Sequence, residues 1–517
     1  MFYKKQKNCV SSENIEVCID DFSKGLNSSV AENVMNPNYC VNSYNFSFKS
    51  GVLEEGYGFE AFTVPTSVDP SECTFEVPLM PLYQDDLQII SCFYFKEFHY
   101  SELKRKDKYI IYGANGYIYF GEMVGIYPTI DGYNILKLAS PPSTMNYKIN
   151  GRDHICMCNE TDGIYAWDAI ESPKKITTAP NASSMCYHDG RIFATVDGDR
   201  SIIRYTANAE MSDISWATSL EDKNGGKIEF NDKSKVNKVI SFLGYLYAFK
   251  DFGITKIRAD KNSLDFDVTE LGISGNKIYE NTISVCGDKI FMLTKDGIAS
   301  FNGVTNTILN LGINKYFKNV VNPYANSCFH AGKYYLACRL NFDDDEIVGC
   351  ESLASEEVVI KNNALIVLDV ESLDYEVVRG VDICCLTSLQ HETMDKVAIC
   401  MNNWKLNQLI QTNKKGAFYS NILKKVWDSP LTDLGYSNKI KLVKSFSLLS
   451  KYDCEVSIYT EKTVKKFKVK GKSTINKFKV NLKGKQIGIK ITSQSEKCYI
   501  SNLKLDIDLL DYGYSVL

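Results

Sequence analysis

Two stretches, FLGYLYAFKDFG at residues 242–253 and VCGDKIFMLTKDG at residues 285–297, share a pattern in which a glycine precedes a short apolar strand. An apolar segment lies just before each glycine, and a second turn leads on to another strand. The pattern occurs at five glycines, separated by 39, 54, 43 and 45 residues: Gly151, Gly190, Gly244, Gly287 and Gly332. An internal repeat of this length indicates a fold built from similar, stacked units.

We interpret each copy as a β-meander, in which antiparallel strands are joined by tight turns. Glycine supplies the positive φ that hairpin turns require, and the strands alternate apolar with polar residues. A period of about 45 residues with about four strands is typical of a β-propeller blade. Weaker copies at residues 108–125 and 382–410 flank the five, which predicts about seven blades, with six or eight as alternatives. The competing interpretation is a set of unrelated hairpins in a β-sandwich.

The composition excludes several classes of protein. The chain has 517 residues, 44% of them hydrophobic and 24% charged, which is normal for a soluble protein of more than one domain. Its 32 tyrosines and 26 phenylalanines favour strands over helices. A net charge of -4 provides no basic surface for sequence-specific nucleic-acid binding or for an anionic membrane.

Targeting segments and metal motifs are not found in the sequence. Residues 1–22 lack the apolar core of a signal peptide, and no run of about 18 apolar residues predicts a membrane-spanning helix. The 17 cysteines lie mostly in apolar, strand-like runs, which predicts buried thiols in a protein made in a reducing cytosol. Cys156, Cys158 and the adjacent Cys384 and Cys385 lack the spacing of a zinc site. We therefore predict no metal and no cofactor.

The texture of the sequence changes after Trp427. Short segments such as KKFKVKG at residues 465–471 alternate lysine with apolar residues, and Pro430 marks a boundary. This pattern predicts a C-terminal antiparallel β-sandwich. The predicted domains are an extended N-terminal arm or closing segment at 1–60, a β-propeller at 61–425 and the β-sandwich at 426–517.

The lysines of the C-terminal module have two interpretations. They form either a solvated face with protected strand edges or a basic docking surface for an acidic partner. The lysines concerned are Lys465, Lys466, Lys468, Lys470, Lys472, Lys477 and Lys479.

No catalytic motif is present around the five histidines, and no phosphate-binding glycine loop occurs. His188 and His330 occupy equivalent positions before a repeat glycine, which predicts a structural role in the turn. Asp197, Asp251 and Asp296 follow repeat strands and are ordinary hairpin residues, or else channel-facing carboxylates of a propeller glycosidase. We predict that the protein is not an enzyme.

Two further features leave an alternative open. The acidic run at residues 343–346 is interpreted as the tip of a surface loop rather than a calcium site, because the EF-hand pattern is missing. Trp167 and Trp404 are interpreted as core aromatics at strand ends. Exposed on one loop face, they would instead support carbohydrate binding.

Residues 20–60 carry three phrases with a fixed order. The first is F-x-x-G-L-N, the second runs from a proline to N-x-x-F, and the third contains a glycine, a leucine and a Gly-Tyr pair. The residues that match are Phe22, Gly25, Leu26, Asn27, Pro37, Asn42 or Asn45, Phe46, Gly51, Leu53, Gly56 and Tyr57. Glu54 and Glu55 stand where the third phrase usually has a basic residue.

These phrases resemble the start of β-propeller structural proteins of tailed bacteriophages, found in the tail nozzle, the tail hub or the head–tail connection. Residues 213–257 are similar to a second phrase of these proteins, in which Trp216 precedes a variable loop and Phe249 and Lys250 lie in the following hairpin. The module after residue 427 is similar to their C-terminal modules. The resemblance covers most of the chain.

The resemblance implies a non-enzymatic structural protein of the virion tail or neck, made in the host cytoplasm. Its implied partners are further copies of itself, in a symmetric ring or otherwise, and phage portal, adaptor or other tail proteins. Residues 20–60 are then a candidate assembly arm, docked on the protein's own propeller or on an adjacent chain, or the segment that closes the propeller. The alternatives are a receptor- or carbohydrate-binding propeller at the tail tip and a propeller glycosidase.

Overall fold

The computed structural model describes residues 12–27, 30–48, 50–64, 77–78, 88–99, 103–105, 107–122, 130–196, 201–217, 225–232, 234–259, 266–273, 276–342, 360–391, 394–402 and 409–511. Within these ranges the chain is all-β, as predicted. The helical turns found there are Phe22–Lys24, Glu32–Val34, Asp213–Trp216, Glu280–Thr282 and Gly312–Phe317. None of the described helices is long and apolar enough to cross a membrane.

Six four-stranded antiparallel sheets follow one another along the chain, and we number them ring sheets 1 to 6. Ring sheets 1 to 3 consist of Ile89–Phe95, Lys108–Gly113, Tyr117–Glu122 and Ile130–Lys137; Ser143–Ile149, Arg152–Asn159, Gly163–Trp167 and Lys174–Ile176; and Met185–His188, Arg191–Thr195, Ile202–Tyr205 and Gly226–Glu229. Ring sheets 4 to 6 consist of Val236–Phe242, Tyr245–Lys250, Gly253–Arg258 and Asp267–Ile273; Ser284–Cys286, Lys289–Thr294, Gly297–Phe301 and Asn306–Ile308; and Asn326–His330, Lys333–Cys338, Ala364–Asp369 and Tyr375–Arg379.

Ring sheet 7 differs because it takes a strand from the start of the chain. Its strands, in spatial order, are Ile383–His391, Met394–Met401, Ile410–Asn413, Gly58–Ala61, Ala417–Phe418 and Asn421–Ile422. Gly58–Ala61 pairs antiparallel with Ile410–Asn413, so that Thr412 lies opposite Phe59. The N-terminal segment thereby completes the last sheet of the series.

The repeat glycines lie in the turn between the first and second strands of ring sheets 2 to 6. Their φ angles are 79°, 80°, 77°, 69° and 75° for Gly151, Gly190, Gly244, Gly287 and Gly332. An added Cβ would meet nothing within 4 Å at any of them. The turns therefore require glycine for its backbone conformation and not for space.

The first strands of successive ring sheets contact one another, and these contacts form a closed ring. From ring sheet 1 around to ring sheet 7 and back, residues in or beside those strands make the pairs Tyr94–Asn146, Tyr147–Tyr187, His188–Ser241, Lys238–Ile283, Ser284–Ser327, His330–Ser388 and Thr387–Cys92. Four-stranded antiparallel sheets that surround a common axis are the hallmark of a β-propeller-like fold.

Apolar side chains fill the space between neighbouring ring sheets. One such cluster, between ring sheets 4 and 5, contains the fully buried Phe249, Ile290 and Met292. Another, between ring sheets 6 and 7, contains Ala337, Leu365 and Ile399. Each sheet buries both faces against its neighbours, which is why runs such as IFMLT and YLYAF are apolar at consecutive positions. The described cysteines are free thiols, and most of them are buried in these strands.

Two antiparallel sheets lie beyond the ring. C-terminal sheet I consists of Ser12–Ile19, Phe46–Ser47, Leu53–Glu55, Ile440–Ser450, Asn476–Gly484 and Tyr499–Leu510. C-terminal sheet II consists of Asn42–Tyr44, Lys425–Asp428, Cys454–Thr460, Val464–Val469 and Ile487–Ser493. The two sheets share one hydrophobic core, to which Ile458, Ile489 and Ile507 all contribute.

Two of the described strands cross the predicted domain boundaries. Gly58–Ala61 spans the boundary at residue 60, and Lys425–Asp428 spans the boundary at residue 425. Two short hairpins complete the described structure: Phe98–His99 with Lys104–Arg105, and Thr63–Val64 with Val77–Pro78.

Candidate assembly segment and central cavity

The N-terminal segment, defined here as residues 12–61, contributes strands to three sheets. Ser12–Ile19 pairs with the strand Tyr499–Leu510 at the far end of the sequence. Asn42–Tyr44 pairs with Lys425–Asp428 in C-terminal sheet II. Gly58–Ala61 belongs to ring sheet 7, so the segment connects the ring to both C-terminal sheets.

Phe22 is the first anchor of this segment. The Asp21 side chain accepts a hydrogen bond of 2.9 Å from the Ser23 amide, which starts the helical turn that carries Phe22. Phe22 is fully buried, and its ring meets Trp427 edge-on with centroids 5.1 Å apart. The sequence pointed to Phe22, but no local signal named Trp427 as its partner.

Gly25, Leu26 and Asn27 form a tight backbone contact with Cys40. The amide of Asn27 donates to the Cys40 carbonyl at 3.0 Å, and the Cys40 amide donates to the Gly25 carbonyl at 2.9 Å. Gly25 has a φ of 66°, and a Cβ there would lie 3.3 Å from the Phe48 ring. Leu26 packs against the C-terminal core and against a ring core at once.

Gly312, at the start of the helical turn Gly312–Phe317, accommodates the backbone of Leu26. A Cβ on Gly312 would lie 1.8 Å from the Leu26 carbonyl oxygen. From the same helical turn, Lys315 Nζ and the Tyr316 hydroxyl donate to the Val41 carbonyl at 2.5 and 2.7 Å. The connection between ring sheets 5 and 6 is therefore shaped to hold the N-terminal segment, a role that sequence reasoning missed.

Asn45 and Phe46 make the next contacts. Asn45 is buried, with a φ of 60°, and its side chain donates to the Lys424 carbonyl and accepts from the Arg379 amide, both at 2.8 Å. Phe46 is buried in the C-terminal core. Asn45 thus binds to ring sheet 6, while Phe46 packs into the core of the C-terminal sheets.

Pro37 has a smaller part in this arrangement. It lies half-buried in a turn that the Tyr39 amide closes by donating to the Asn36 carbonyl at 3.1 Å. This turn leads the chain back toward Cys40. All the matched residues from Phe22 to Phe46 therefore lie in one docked path along the protein's own surface.

A cavity of about 510 Å³ lies at one mouth of the ring axis. Its lining comes from residues in or beside the strands of all seven ring sheets and includes Ser91, Asn237 and Lys238. The Ser91 hydroxyl and the Asn237 side-chain carbonyl are buried, with no hydrogen-bond partner among the described residues. Burial lowers the pKa of Lys238 to about 8, although its ammonium donates to the Glu280 and Ile283 carbonyls at 3.3 and 2.9 Å.

Of the three aspartates considered for catalysis, the two that the structure describes, Asp251 and Asp296, do not form a carboxylate pair at this cavity. Asp251 accepts a hydrogen bond from Asn237 Nδ2 at 2.7 Å, while Asp296 lies in an exposed turn. Asp197, Trp404 and the acidic run at 343–346 lie outside the described residues. Within the described ranges, no three His, Cys, Asp or Glu side chains are close enough to hold a metal ion.

The two repeat histidines make equivalent contacts between neighbouring sheets. His188 Nδ1 lies 2.8 Å from Ser241 Oγ, and His330 Nδ1 lies 2.9 Å from Ser388 Oγ. Trp167 is buried and packs on Phe95 and Phe120, so it is not an exposed carbohydrate-binding aromatic. These positions serve packing between sheets.

The similarity of this chain to known proteins is found among solved structures. No family model and no curated protein matches it. Among solved structures it is similar to Raptor of Chaetomium thermophilum, at 10% identity and a TM-score of 0.40 over 65% of this chain and 29% of that one. The extracellular domain of BT4673 from B. thetaiotaomicron is similar at 12% identity and a TM-score of 0.39, over 90% of this chain and 63% of that one.

Hsv2 of Kluyveromyces lactis is also similar, at 9% identity and a TM-score of 0.28, over 56% of this chain and 97% of that one. The chain thus spans less than two thirds of the length of Raptor and of the BT4673 domain. Scores at this level do not indicate a function. The chain's own sheets and contacts are what define it as an all-β protein with a propeller-like ring.

Proposed function

We propose that this chain is a non-enzymatic structural protein of a tailed-phage virion, in the tail or neck, assembling around the head–tail axis. The observation that carries the proposal is the docking of residues 12–61. The phrases that resemble phage structural proteins coincide with the residues that join the ring to the C-terminal sheets. A structural part of a virion must be stiff. The N-terminal segment contacts both the ring and the C-terminal sheets at several points and so holds them together.

We further infer that the ring is a seven-bladed β-propeller and that the C-terminal sheets form a β-sandwich. The seven ring sheets and their closed set of contacts support the first inference. The shared core of the two C-terminal sheets supports the second. In this arrangement Gly58–Ala61 closes the propeller, because a strand from one end of the chain joins strands from near the other.

The rigidity has a physical basis in the spread of the contacts. Phe22 is held in the C-terminal core, Leu26 against the Gly312 turn, and Asn45 against ring sheet 6. Separating the two units would expose these side chains and leave buried polar groups without partners, which is costly. The two units therefore move as one body in the proposed assembly.

The test is to purify particles from the producing cells, identify their proteins by mass spectrometry and locate this chain by cryo-electron microscopy. We expect several copies arranged around the head–tail axis, in contact with portal, adaptor or other tail proteins. Copies confined to fibre tips would contradict the tail or neck role and favour the receptor-binding alternative. Absence of the chain from every particle would overturn the proposal.

A further inference from the structure

The outer face of C-terminal sheet II carries a groove with an excess of positive charge. Its volume is about 760 Å³, and five lysines line it against two carboxylates, those of Asp453 and Glu455. We call it the lysine groove, and its lysines are Lys424, Lys466, Lys468, Lys470 and Lys490. It lies on the face opposite the hydrophobic core.

The strand pairing explains why these lysines share one face. Lys466 lies opposite Ser457, which lies opposite Lys490 on the next strand. One row along, Lys468 lies opposite Glu455, and Phe467 between the two rows packs against the core. Successive side chains of a strand alternate between faces, so the even-numbered lysines project together.

The charges in the groove are only partly compensated. Lys466 lies 3.7 Å from Glu455, and Lys470 lies 3.0 Å from Asp453, both as exposed pairs. Exposed ion pairs of this kind contribute little and exchange readily with other carboxylates. Lys468 has no carboxylate within ion-pair distance in the part of the chain that the structure describes.

The packing and hydrogen bonds of Tyr459 fix the base of the groove. The Tyr459 ring covers Gly488, where a Cβ would lie 2.3 Å from the ring. Its hydroxyl donates to Asp428 Oδ1 at 2.7 Å and to the Ser429 carbonyl at 3.0 Å. Burial raises the pKa of the Asp428 carboxyl, although Tyr459 and Lys490 oppose that rise. A ligand in the groove meets a surface that is already ordered.

We propose that the lysine groove binds an extended acidic peptide segment of a partner protein, with Asp or Glu at alternate positions. Lys466, Lys468 and Lys470 are two residues apart along one chain, which places them about 6.4–6.8 Å apart. Alternate carboxylates of an extended peptide have the same spacing, so each meets one lysine. The complementary charge provides orientation and a fast association rate. The inference holds whether or not the chain belongs to a virion.

The test is fluorescence anisotropy with the full chain and a labelled peptide of about eight residues that alternates aspartate with threonine, at low salt. The control peptide has the same composition but its aspartates in one block. The test variant is Lys466→Gln/Lys468→Gln/Lys470→Gln. The matched control, Lys472→Gln/Lys477→Gln/Lys479→Gln, removes three exposed lysines that lie outside the groove.

We expect the alternating peptide to bind the wild type at least about tenfold more tightly than it binds the groove variant, and the control variant to change affinity by less than about twofold. Thermal unfolding should be the same in all three proteins, because the substituted side chains are exposed. Equal loss in both variants, equal binding of the blocked peptide or no binding at all would overturn the proposal. Binding of an anionic polysaccharide such as heparin in the groove, without binding of the peptide, would also overturn it.

Discussion

The ring and the C-terminal sheets differ in how far apart in the sequence their paired strands lie. Ring sheets 1 to 6 each arise from four strands that are consecutive among the described strands of the ring. The C-terminal sheets instead combine strands from both ends of the chain, such as Ser12–Ile19 with Tyr499–Leu510. Ring sheet 7 combines both arrangements, because five of its six strands lie between residues 383 and 422 and Gly58–Ala61 does not.

This difference predicts how the two units depend on the N-terminal segment. Local hairpins form without closing long loops, whereas the C-terminal sheets must bring residues together from across the whole chain. Losing contacts within the segment should therefore weaken the C-terminal sheets and ring sheet 7 together. Changes inside ring sheets 2 to 6 should remain more local.

The largest effect is expected for Phe22→Ala. Removing this fully buried ring leaves a cavity against Trp427 and should lower the free energy of unfolding by about 3–5 kcal/mol. Urea denaturation followed by circular dichroism measures it. The control is Phe252→Ala in a ring turn, where the side chain is 51% exposed and the expected change is within about 0.5 kcal/mol. Equal changes in the two variants would remove Phe22 as an anchor.

Asn45→Ala should lower the free energy of unfolding somewhat less than Phe22→Ala does. The substitution removes the two hydrogen bonds that Asn45 makes with the Arg379 amide and the Lys424 carbonyl, and it places alanine at a φ of 60°. We expect a loss of about 2–4 kcal/mol in the same denaturation experiment. Asn45→Asp keeps the acceptor for Arg379 and should lose less. A larger loss for aspartate than for alanine would contradict the assigned contacts.

Gly312→Ala tests the contact between the ring and Leu26 of the N-terminal segment from the side of the ring. The new Cβ would overlap the Leu26 carbonyl oxygen, so the turn or the segment must shift, at a cost of about 1–3 kcal/mol. Lys318→Ala, an exposed position just after the same helical turn, provides the control and should change stability by less than about 0.5 kcal/mol. An unchanged melting temperature in Gly312→Ala would show that Leu26 is not held there.

Gly244→Ala tests a turn of the ring alone. The φ of 77° is unfavourable for alanine by about 1–2 kcal/mol, and no atom stands in the way of its Cβ. Gly244→Asn should cost less, because asparagine tolerates this conformation better. If alanine and asparagine cost the same, the turn does not depend on its positive φ.

The smallest effect concerns pH. Lys238 has its pKa lowered to about 8 by burial, so between that value and the usual lysine pKa the unfolded chain binds more protons than the folded one. The contribution of Lys238 to the free energy of unfolding should therefore rise with pH by about 1 kcal/mol or less between pH 8 and pH 9, against an opposite contribution from buried thiols such as Cys156, whose pKa burial raises. Lys238→Met should remove this rise, whereas Lys472→Met, an exposed control, should retain it. The same slope in both variants would contradict the account.

Much of the ring could be predicted from the sequence because its signals are local. Gly190 and Gly287 predict hairpin turns at their own positions. The apolar runs beside them predict strands that are buried on both faces. The equivalent positions of His188 and His330 are likewise visible as a repeat. Each of these features lies within one sheet or in the contact between two sequential sheets.

Sequence reasoning identified only one side of the contacts between the N-terminal segment and the rest of the protein, and the reason is physical. Phe22, Leu26 and Asn45 lie in recognisable phrases, but their partners Trp427, Gly312 and Arg379 lie hundreds of residues away. A glycine such as Gly312 gives no sign that the carbonyl of another segment lies against it. Long-range contacts of this kind depend on the complete fold.

The most direct measurement of the coupling is hydrogen–deuterium exchange of the full chain, read by mass spectrometry at two protein concentrations. We predict that residues 42–44 and 58–61 exchange as slowly as their partners at 426–428 and 410–413, and that dilution leaves this protection unchanged. Exchange of these residues within seconds, while the ring remains protected, would contradict the docked segment. Protection that disappears on dilution would show that the segment docks on another copy and not on its own chain.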